Sequence, residues 1–420
     1  MSEEWLTFVN DPRTTCKYGA KCYQKNPEHH KSYKHPPQGY QKKIKDIKHK
    51  NKRVQPYTKT KKPSDKDTTK ELCLVSSPSQ GFSLNKQDME NFHSEKEFDN
   101  KSRGLVILDE NSQFYDKTED NKLFKELFLV EMPPDFFQFF KCISEESSVE
   151  QTLANVNLQL IGPYDLLLGR LPMLDNKDFY LIHWRFFYDP PEFQAVLKKK
   201  GQSEFHIGYF RDDPNKKPEF MATNDCSKDC HIHPVADNIF GAVYCYLQNE
   251  KKTSPFVSMA CQKLMDKVKK WANEHNFSLD EYNIKKRASQ TVAKTLHGAG
   301  IVVPYNKKTE LGYRPLVESN ANLKKLFAKL ESSTSKNEKD DILSQIQPVI
   351  TYASIAMDEC DFGTGLEIGI DLFCSGLKEL EANAVASLTS AYSLLNRDAF
   401  GKIVQVHLKH RRKGPDMSIF

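Results

Sequence analysis

The sequence has no long apolar run, no internal repeat and none of the common nucleotide-binding or hydrolase motifs. A membrane-spanning helix needs about 20 mostly apolar residues, and the acidic start MSEEWLTF is unlike a secretion signal. Neither G-x-x-x-x-G-K-[ST] nor G-x-S-x-G occurs. The ten cysteines are scattered, which is typical of a reducing compartment rather than of a disulfide framework. We therefore expect no membrane partner and no familiar free-standing hydrolase.

Positive charge is concentrated in one segment. Residues 38–70 contain twelve Lys and Arg against three Asp, a net charge of +9. Residues 1–37 add +2 and the whole chain carries only +5, so residues 71–420 form an acidic body with a net charge of −6. A basic block stays solvated and binds polyanions, and the stretches 42–53 and 59–62 are typical of nuclear-import signals. We expect a disordered basic linker over residues 38–115.

Four metal-ligand residues precede this linker, within residues 11–37. Cys16, Cys22, His29 and His35 have the spacing C-x5-C-x6-H-x5-H, and two thiolates with two imidazoles complete a tetrahedral zinc site. So short a polar segment cannot bury enough surface to fold alone, so metal binding would supply its folding free energy. The spacing differs from that of the DNA-reading finger. We predict a small structural zinc finger.

The rest of the chain predicts an α+β protein, with a mixed α/β domain over 116–250 followed by an all-helical domain over 251–410. In the first part we expect two helices separated at Pro133–Pro134, strands at 158–169, 179–193 and 205–210, and either a strand or a buried helix at 239–248. In the second part, apolar residues at three-to-four spacing predict helices at 256–275, 279–297, 321–332, 338–357, 366–373 and 378–408.

An acidic cluster stands out in the helical part. Asp358, Glu359 and Asp361 follow a helix that runs from Pro348 and ends near Met357. Anions are unfavourable at a helix C-terminus, so a purely structural sequence would avoid this arrangement. The alternative is that Asp361 caps the next helix and the other two acids are solvated.

A second set of metal-ligand residue types is weaker evidence for a site. Cys226, Cys230, His231 and His233 lie close in sequence. However, the adjacent Cys230 and His231 cannot easily face one ion. We do not assign zinc to this cluster.

The N-terminal motif resembles the poly(ADP-ribose)-binding zinc finger. The matching elements are Arg13 three residues before the first Cys, Tyr18-Gly19, Cys22-Tyr23 and His35-Pro36. The resemblance implies zinc as cofactor and polymer binding by Arg13, Tyr18 and Tyr23. Tyrosines can stack on adenine for about 1–3 kcal/mol per base, and Arg13 can pair with pyrophosphate. The alternative is that both tyrosines pack on the zinc knot. Gln24 replaces the Arg usual at its position, which should weaken polymer binding.

The body resembles the histone PARylation factor family, the accessory factors of DNA-damage-activated poly(ADP-ribose) polymerases. The matching stretches are LIGPYDLL (160–167), HWRFFYDPPEFQ (183–194), GYFRDDP (208–214), DNIFGAV (237–243), HGAGIVVP (297–304), GYR (312–314) and DECDFGTGLEIGIDLFC (358–374).

This resemblance implies a protein that is not an enzyme alone. It implies docking on the polymerase catalytic domain, which binds NAD as substrate, and completion of that active site. Glu359 would act as general base for serine hydroxyls of histones. Asp358, Arg314 and Tyr313 would serve the interface. A serine hydroxyl is a poor nucleophile without an adjacent base, which makes the role chemically reasonable.

The family also implies a place in the nucleus, on chromatin at sites of DNA damage. Two rival functions remain from the sequence alone. One is a poly(ADP-ribose) reader and scaffold without a catalytic role, and the other is a DNA-binding protein that uses its basic arm. The identity of the modified acceptor residue distinguishes a catalytic cofactor from a scaffold.

Overall fold

The computed structural model describes residues 11–15, 27–35, 105–145 and 148–420 and divides the chain into two units, Met1–Ser83 and Leu84–Phe420. Outside the described residues lie Cys16, Cys22, Tyr18, Tyr23 and the linker up to residue 104. The α+β class is confirmed by a mixed helix and sheet region followed by helices.

The described part of the N-terminal unit is a short helix flanked by two paired segments. Strand β1 (Thr14–Thr15) pairs in parallel with β2 (Tyr33–Lys34), and helix α1 (Pro27–Ser32) directly precedes β2. Arg13 ties these pieces together, because its guanidinium donates to the Asp11 carboxylate and, at 2.5 Å, to the backbone oxygen of His30.

An antiparallel five-stranded sheet forms the centre of the mixed region, with its strands in sequence order. Its strands are β3 (Leu158–Leu160), β4 (Phe193–Lys199), β5 (Phe205–Phe210), β6 (Phe220–Asp225) and β7 (His233–Ala236). The helices of this region are α2 (Asn121–Phe128), α3 (Pro134–Ser144), α4 (Val149–Ala154), α5 (Tyr164–Leu167) and α6 (Ile239–Glu250). The open alternative at 239–248 is thus resolved as a helix, which Asn238 caps by accepting from the Gly241 N–H.

The remaining helices follow the sheet region in sequence, and one of them, α11, is almost entirely buried. They are α7 (Pro255–His275), α8 (Ile284–Gln290), α9 (Asn320–Ser332), α10 (Lys336–Asp358), α11 (Phe362–Ser375), α12 (Lys378–Leu394) and α13 (Asp398–Lys409). Every residue of α11 from Gly363 to Cys374 is buried, as expected of a helix that is apolar all round. One hydrophobic cluster joins its side chains to those of the sheet. None of the helices in the described part of the chain has the length and hydropathy to span a bilayer.

Two of the predicted strands are wrong. Only Leu158–Leu160 is extended within 158–169, and the end of that segment is α5. Within 179–193 the chain forms a 3₁₀ helix, Lys177–Ile182, and then turns. Buried Arg185 stabilises the irregular backbone, because its guanidinium donates to the backbone oxygens of Leu181, Pro190 and Phe193. Buried backbone oxygens need such partners when no sheet ladder satisfies them.

Three predicted helix boundaries also differ. The helix at 279–297 is reduced to α8, because the chain becomes extended at Thr291 and Ala293 then pairs with Ile301 in an isolated antiparallel bridge. Helix α10 matches the predicted helix at 338–357, and it runs through Pro348 rather than starting there. The single helix at 378–408 is two helices, which are separated at Asn396, whose φ is 57°.

Candidate functional site

The acidic cluster lies on the turn between α10 and α11. Helix α10 ends at Asp358, and the Glu359 N–H still donates to the Ile355 and Ala356 oxygens at 3.1 Å. Cys360 then adopts the left-handed conformation with φ of 69°, and α11 begins after Asp361. This reversal separates the three acids, so that they do not share one environment.

Arg314 joins two of the three acids. Its Nε donates to Asp361 Oδ2 at 2.7 Å, and its Nη2 donates to Glu359 Oε2. The guanidinium also lies 5.7 Å from the centre of the Tyr352 ring. Burial lowers the pKa of Arg314, but its bonds to Glu359 and Asp361 outweigh this effect and leave the pKa raised. The Arg314 side chain is therefore a fixed cation beneath the acidic turn.

The segment that carries Arg314 is held against the start of α11. Asp361 Oδ1 accepts from the Gly312 N–H at 2.8 Å, and the Thr364 hydroxyl accepts from the Arg314 N–H and donates to the Arg314 oxygen. Gly312 has a φ of 109°, and a Cβ there would lie 2.0 Å from the Pro304 oxygen. Only glycine fits this position, so the loop has one conformation that presents Arg314 to the turn.

The acids differ sharply in exposure. Asp361 is buried, with its side chain only 10% exposed, whereas 60% of the Glu359 side chain is exposed. Asp358 is exposed and has no hydrogen bond or ion pair to another side chain among the described residues. Glu359 is thus both oriented by Arg314 and open to an incoming group, while Asp358 is free for a partner.

Two buried acids lie behind the site on α11. The Tyr313 hydroxyl donates to Glu367 Oε2 at 3.1 Å, and Asp371 Oδ1 accepts from the Leu296 N–H at 2.7 Å. Burial raises the pKa of Glu367 to about 7 and that of Asp371 well above its usual range. Burial and the neighbouring Glu367 also raise the pKa of Tyr313.

Sequence reasoning missed Glu367, Asp371 and the anchoring role of Thr364. The spacing of the first two, four residues apart on an otherwise apolar helix, is the signal that could have found them. Tyr313, predicted at the interface, is partly buried and donates its hydroxyl to Glu367; its role in the interface stays a prediction.

In the N-terminal unit, the two predicted histidine ligands face each other. The Nε2 atoms of His29 and His35 are 3.2 Å apart. Zinc–nitrogen bonds of about 2.0–2.1 Å at tetrahedral angles place two ligand nitrogens about 3.3–3.4 Å apart. The pair therefore fits two corners of a zinc site. Cys16 and Cys22, the other two predicted ligands, lie outside the described residues.

The weaker cysteine–histidine cluster is divided by the structure. Cys226 is buried, and its sulfur lies within 4.8 Å of a carboxylate oxygen of Asp189 and a ring nitrogen of His206. These three residues form the one group of metal-ligand types found in the described part of the chain. His206 and Asp189 already contact each other at 2.8 Å. Cys230 instead donates to the backbone oxygen of Leu296, with Sγ at 3.7 Å.

Comparison with known proteins agrees with both resemblances. A family model for histone PARylation factor 1 matches residues 119–411, and one for the PBZ domain, a zinc-finger type, matches residues 13–38. Histone PARylation factor 1 of Bos taurus is 37% identical over 294 residues, which cover 68% of this chain and 84% of the relative. The Mus musculus protein of the same name is 37% identical over 313 residues, 71% of this chain and 90% of the relative. The chain belongs to the histone PARylation factor family and carries an N-terminal PBZ domain.

Proposed function

We propose that this chain is an accessory factor that completes the active site of a poly(ADP-ribose) polymerase and directs ADP-ribosylation to serine on histones. Membership of the family supports the accessory role, and the PBZ domain supports binding of poly(ADP-ribose). The observation that carries the catalytic part is the exposed Glu359 carboxylate, fixed from behind by Arg314.

Glu359 is the general base in this proposal. The partner polymerase binds NAD. The serine oxygen attacks the ribose carbon from which nicotinamide departs, and Glu359 accepts the proton of the serine hydroxyl. General-base catalysis needs the base within hydrogen-bond distance of the proton it removes. Arg314 restricts the Glu359 side chain to one orientation, so less conformational freedom is lost when the acceptor binds.

Asp358 and the outer face of Arg314 form the docking surface in this proposal. Leu311 and Ile355, each about half exposed, flank the acidic turn and add apolar area beside the charges. Interfaces commonly combine a few apolar anchors with a charged rim that sets orientation. The negative potential of the turn also suits serines that are flanked by lysine, as on histone tails.

The N-terminal finger is a reader of the product in this proposal. Zinc, held by Cys16, Cys22, His29 and His35, orders the finger, and Arg13, Tyr18 and Tyr23 contact the polymer. The Arg13 guanidinium is about half exposed and already pairs with Asp11, so binding a pyrophosphate requires exchange of that partner. In this proposal the protein acts in the nucleus, at damaged chromatin, because its two partners are the polymerase and poly(ADP-ribose) and because its linker is basic.

The decisive experiment combines the polymerase catalytic domain, NAD and a histone peptide with wild-type protein or Glu359→Gln. The glutamine keeps the shape and removes the base, so serine modification should fall by about 10²–10⁴ while polymerase affinity is retained. Glu310→Gln, the same change on the neighbouring exposed loop, is the control. Serine modification at the wild-type rate with Glu359→Gln would leave a reader and scaffold as the better description.

A further inference from the structure

Three buried residues of metal-ligand types lie close together in the mixed region, and the proposed function uses none of them. Asp189 lies in the irregular segment before β4, His206 lies on β5, and Cys226 directly follows β6. The side chains of Asp189 and His206 are fully buried, and Cys226 is 8% exposed. One carboxylate oxygen, one ring nitrogen and the sulfur all lie within 4.8 Å of one another.

The hydrogen bonds of His206 direct one ring nitrogen toward Asp189. Its Nδ1 lies 2.7 Å from the backbone oxygen of Glu204, which can only accept, so Nδ1 carries a proton and donates. Its Nε2 lies 2.8 Å from Asp189 Oδ1. The Phe186 ring stacks on the imidazole with 4.0 Å between the ring centres, which holds the plane of the imidazole. Nε2 and Oδ1 therefore face each other with a cation between them, either a proton or a metal ion.

Both side chains have the outer hydrogen bonds that are usual around metal ligands. A histidine that donates from Nδ1 to a backbone oxygen offers Nε2 to a metal. The second oxygen of Asp189, Oδ2, accepts from the Phe186 N–H at 3.0 Å, which keeps Oδ1 directed at His206. Zinc bonds of about 2.0–2.2 Å at a tetrahedral angle place a nitrogen and an oxygen ligand about 3.3–3.5 Å apart, so the pair has to open by roughly 0.5 Å to hold the ion.

A buried amide lies on the same face of the sheet. Asn224 on β6 is directly opposite His206 in the antiparallel register, and residues in opposite positions place their side chains on one face. Asn224 is 1% exposed, and neither its amide oxygen nor its amide nitrogen has a hydrogen-bond partner within the described residues. Buried amides are almost always paired. Cys226 follows Asn224 by two residues, the spacing that returns a side chain to the same face of a strand.

We propose that Asp189, His206 and Cys226 bind one zinc ion inside the body, with the amide oxygen of Asn224 as the fourth ligand. Thiolate, imidazole and oxygen ligands in a set of four suit Zn²⁺. The ion replaces the thiol proton and the proton between Nε2 and Oδ1. The carboxylate and the thiolate then balance its two positive charges, so that the buried site is neutral overall.

The role of this ion is structural. All four ligands come from the protein, and the ion joins the segment before β4 to the start of β5 and the end of β6. Structural zinc sites are closed in this way, whereas catalytic ones keep a position for water or substrate. The set shares only Cys226 with the cysteine–histidine cluster of the sequence, to which zinc is not assigned.

The test uses the full chain with Cys16→Ala and Cys22→Ala, which removes both thiolates of the N-terminal finger. It is produced in minimal medium that contains Zn²⁺ or Co²⁺, so that metal is present while the chain folds, and is then dialysed. Elemental analysis should find one metal ion per chain, and the Co²⁺ form should show the ultraviolet thiolate band and the visible bands of tetrahedral Co²⁺. Cys226→Ser in this background should lose the ion and the bands, whereas Cys245→Ser, which alters a half-buried thiol on α6, should keep both.

Urea unfolding of the chain without finger thiolates gives a second measurement that needs no change in the body. An ion bound only by the folded state raises the unfolding midpoint, so the midpoint should be higher with Zn²⁺ than with EDTA. The Cys226→Ser chain should show no such difference. Three results would overturn the proposal: a folded body without bound metal, bound Co²⁺ without a thiolate band, or a zinc content that Cys226→Ser leaves unchanged.

Discussion

Asp361 and Asp358 are separated by three positions but should have opposite roles, and stability measurements can show this without any partner. Asp361→Ala removes the carboxylate that accepts from Arg314 Nε and from the Gly312 N–H. A hydrogen bond to a charged group contributes about 1.5–3 kcal/mol, and a buried donor left without a partner costs about 1–3 kcal/mol. Arg314 keeps Glu359 and is 27% exposed, so water restores part of this loss.

We therefore expect Asp361→Ala to lower the free energy of unfolding by about 2–3 kcal/mol. Asp358→Ala should change it by less than about 0.5 kcal/mol, as is usual for an exposed position without partners. Asp361→Asn keeps an acceptor for Gly312 but loses the charge, and its effect should lie between these two.

The measurement is urea unfolding of the full chain, followed through the fluorescence of Trp184 and Trp271, which both lie in the body. An unchanged m value would show that the shift in midpoint reflects stability alone. If Asp361→Ala and Asp358→Ala proved equally stable, the assignment of Asp361 as the anchor of the Arg314 loop would be refuted.

Three further predictions concern the pH dependence, the interface and the finger. Glu367 has a raised pKa of about 7 in the folded protein, so its contribution to stability is full below its ordinary pKa of about 4.5 and is lost as pH rises through 7. Glu367→Gln should flatten the pH profile of the free energy of unfolding between about pH 4.5 and 7, by up to about 3 kcal/mol, and an unchanged slope would contradict the assignment. Asp358→Ala should weaken polymerase binding by about 30-fold or more, because removing one partner of a buried interfacial charge pair causes a loss of this size. Calorimetric titration of the polymerase measures the affinity, and a wild-type affinity would place the interface elsewhere. His35→Ala should lose zinc and poly(ADP-ribose) binding at near-physiological salt while the urea midpoint of the body is retained; polymer binding at wild-type strength would assign that ligand to the basic linker instead.

The sequence was most informative where the signal is local. Helices that have a clear apolar period and a capping residue begin within two residues of their predicted starts. Examples are α9, which follows Ser319, and α10, which follows Ser335. Strands β6 and β7 were not predicted, because β6 forms by pairing with β5 and β7 by pairing with β6, and neither has an alternating pattern of its own. The irregular segment before β4 was read as a strand since the sequence does not reveal that Arg185 satisfies its backbone.

By itself, the sequence was enough to predict the α+β class, which the structure confirms, the charge of the basic linker and, through family motifs, the acidic turn, while the zinc-ligand set stays a prediction. These depend on composition, spacing and resemblance, which need no knowledge of distant contacts. Only the tertiary structure decided how the three acids differ, because their roles depend on Arg314, which reaches Asp361 across 47 positions of sequence. The same long-range folding buried Glu367 and Asp371 behind the site. Burial and contact between distant segments set the charge and reactivity of a side chain, and neither can be read from its neighbours in sequence.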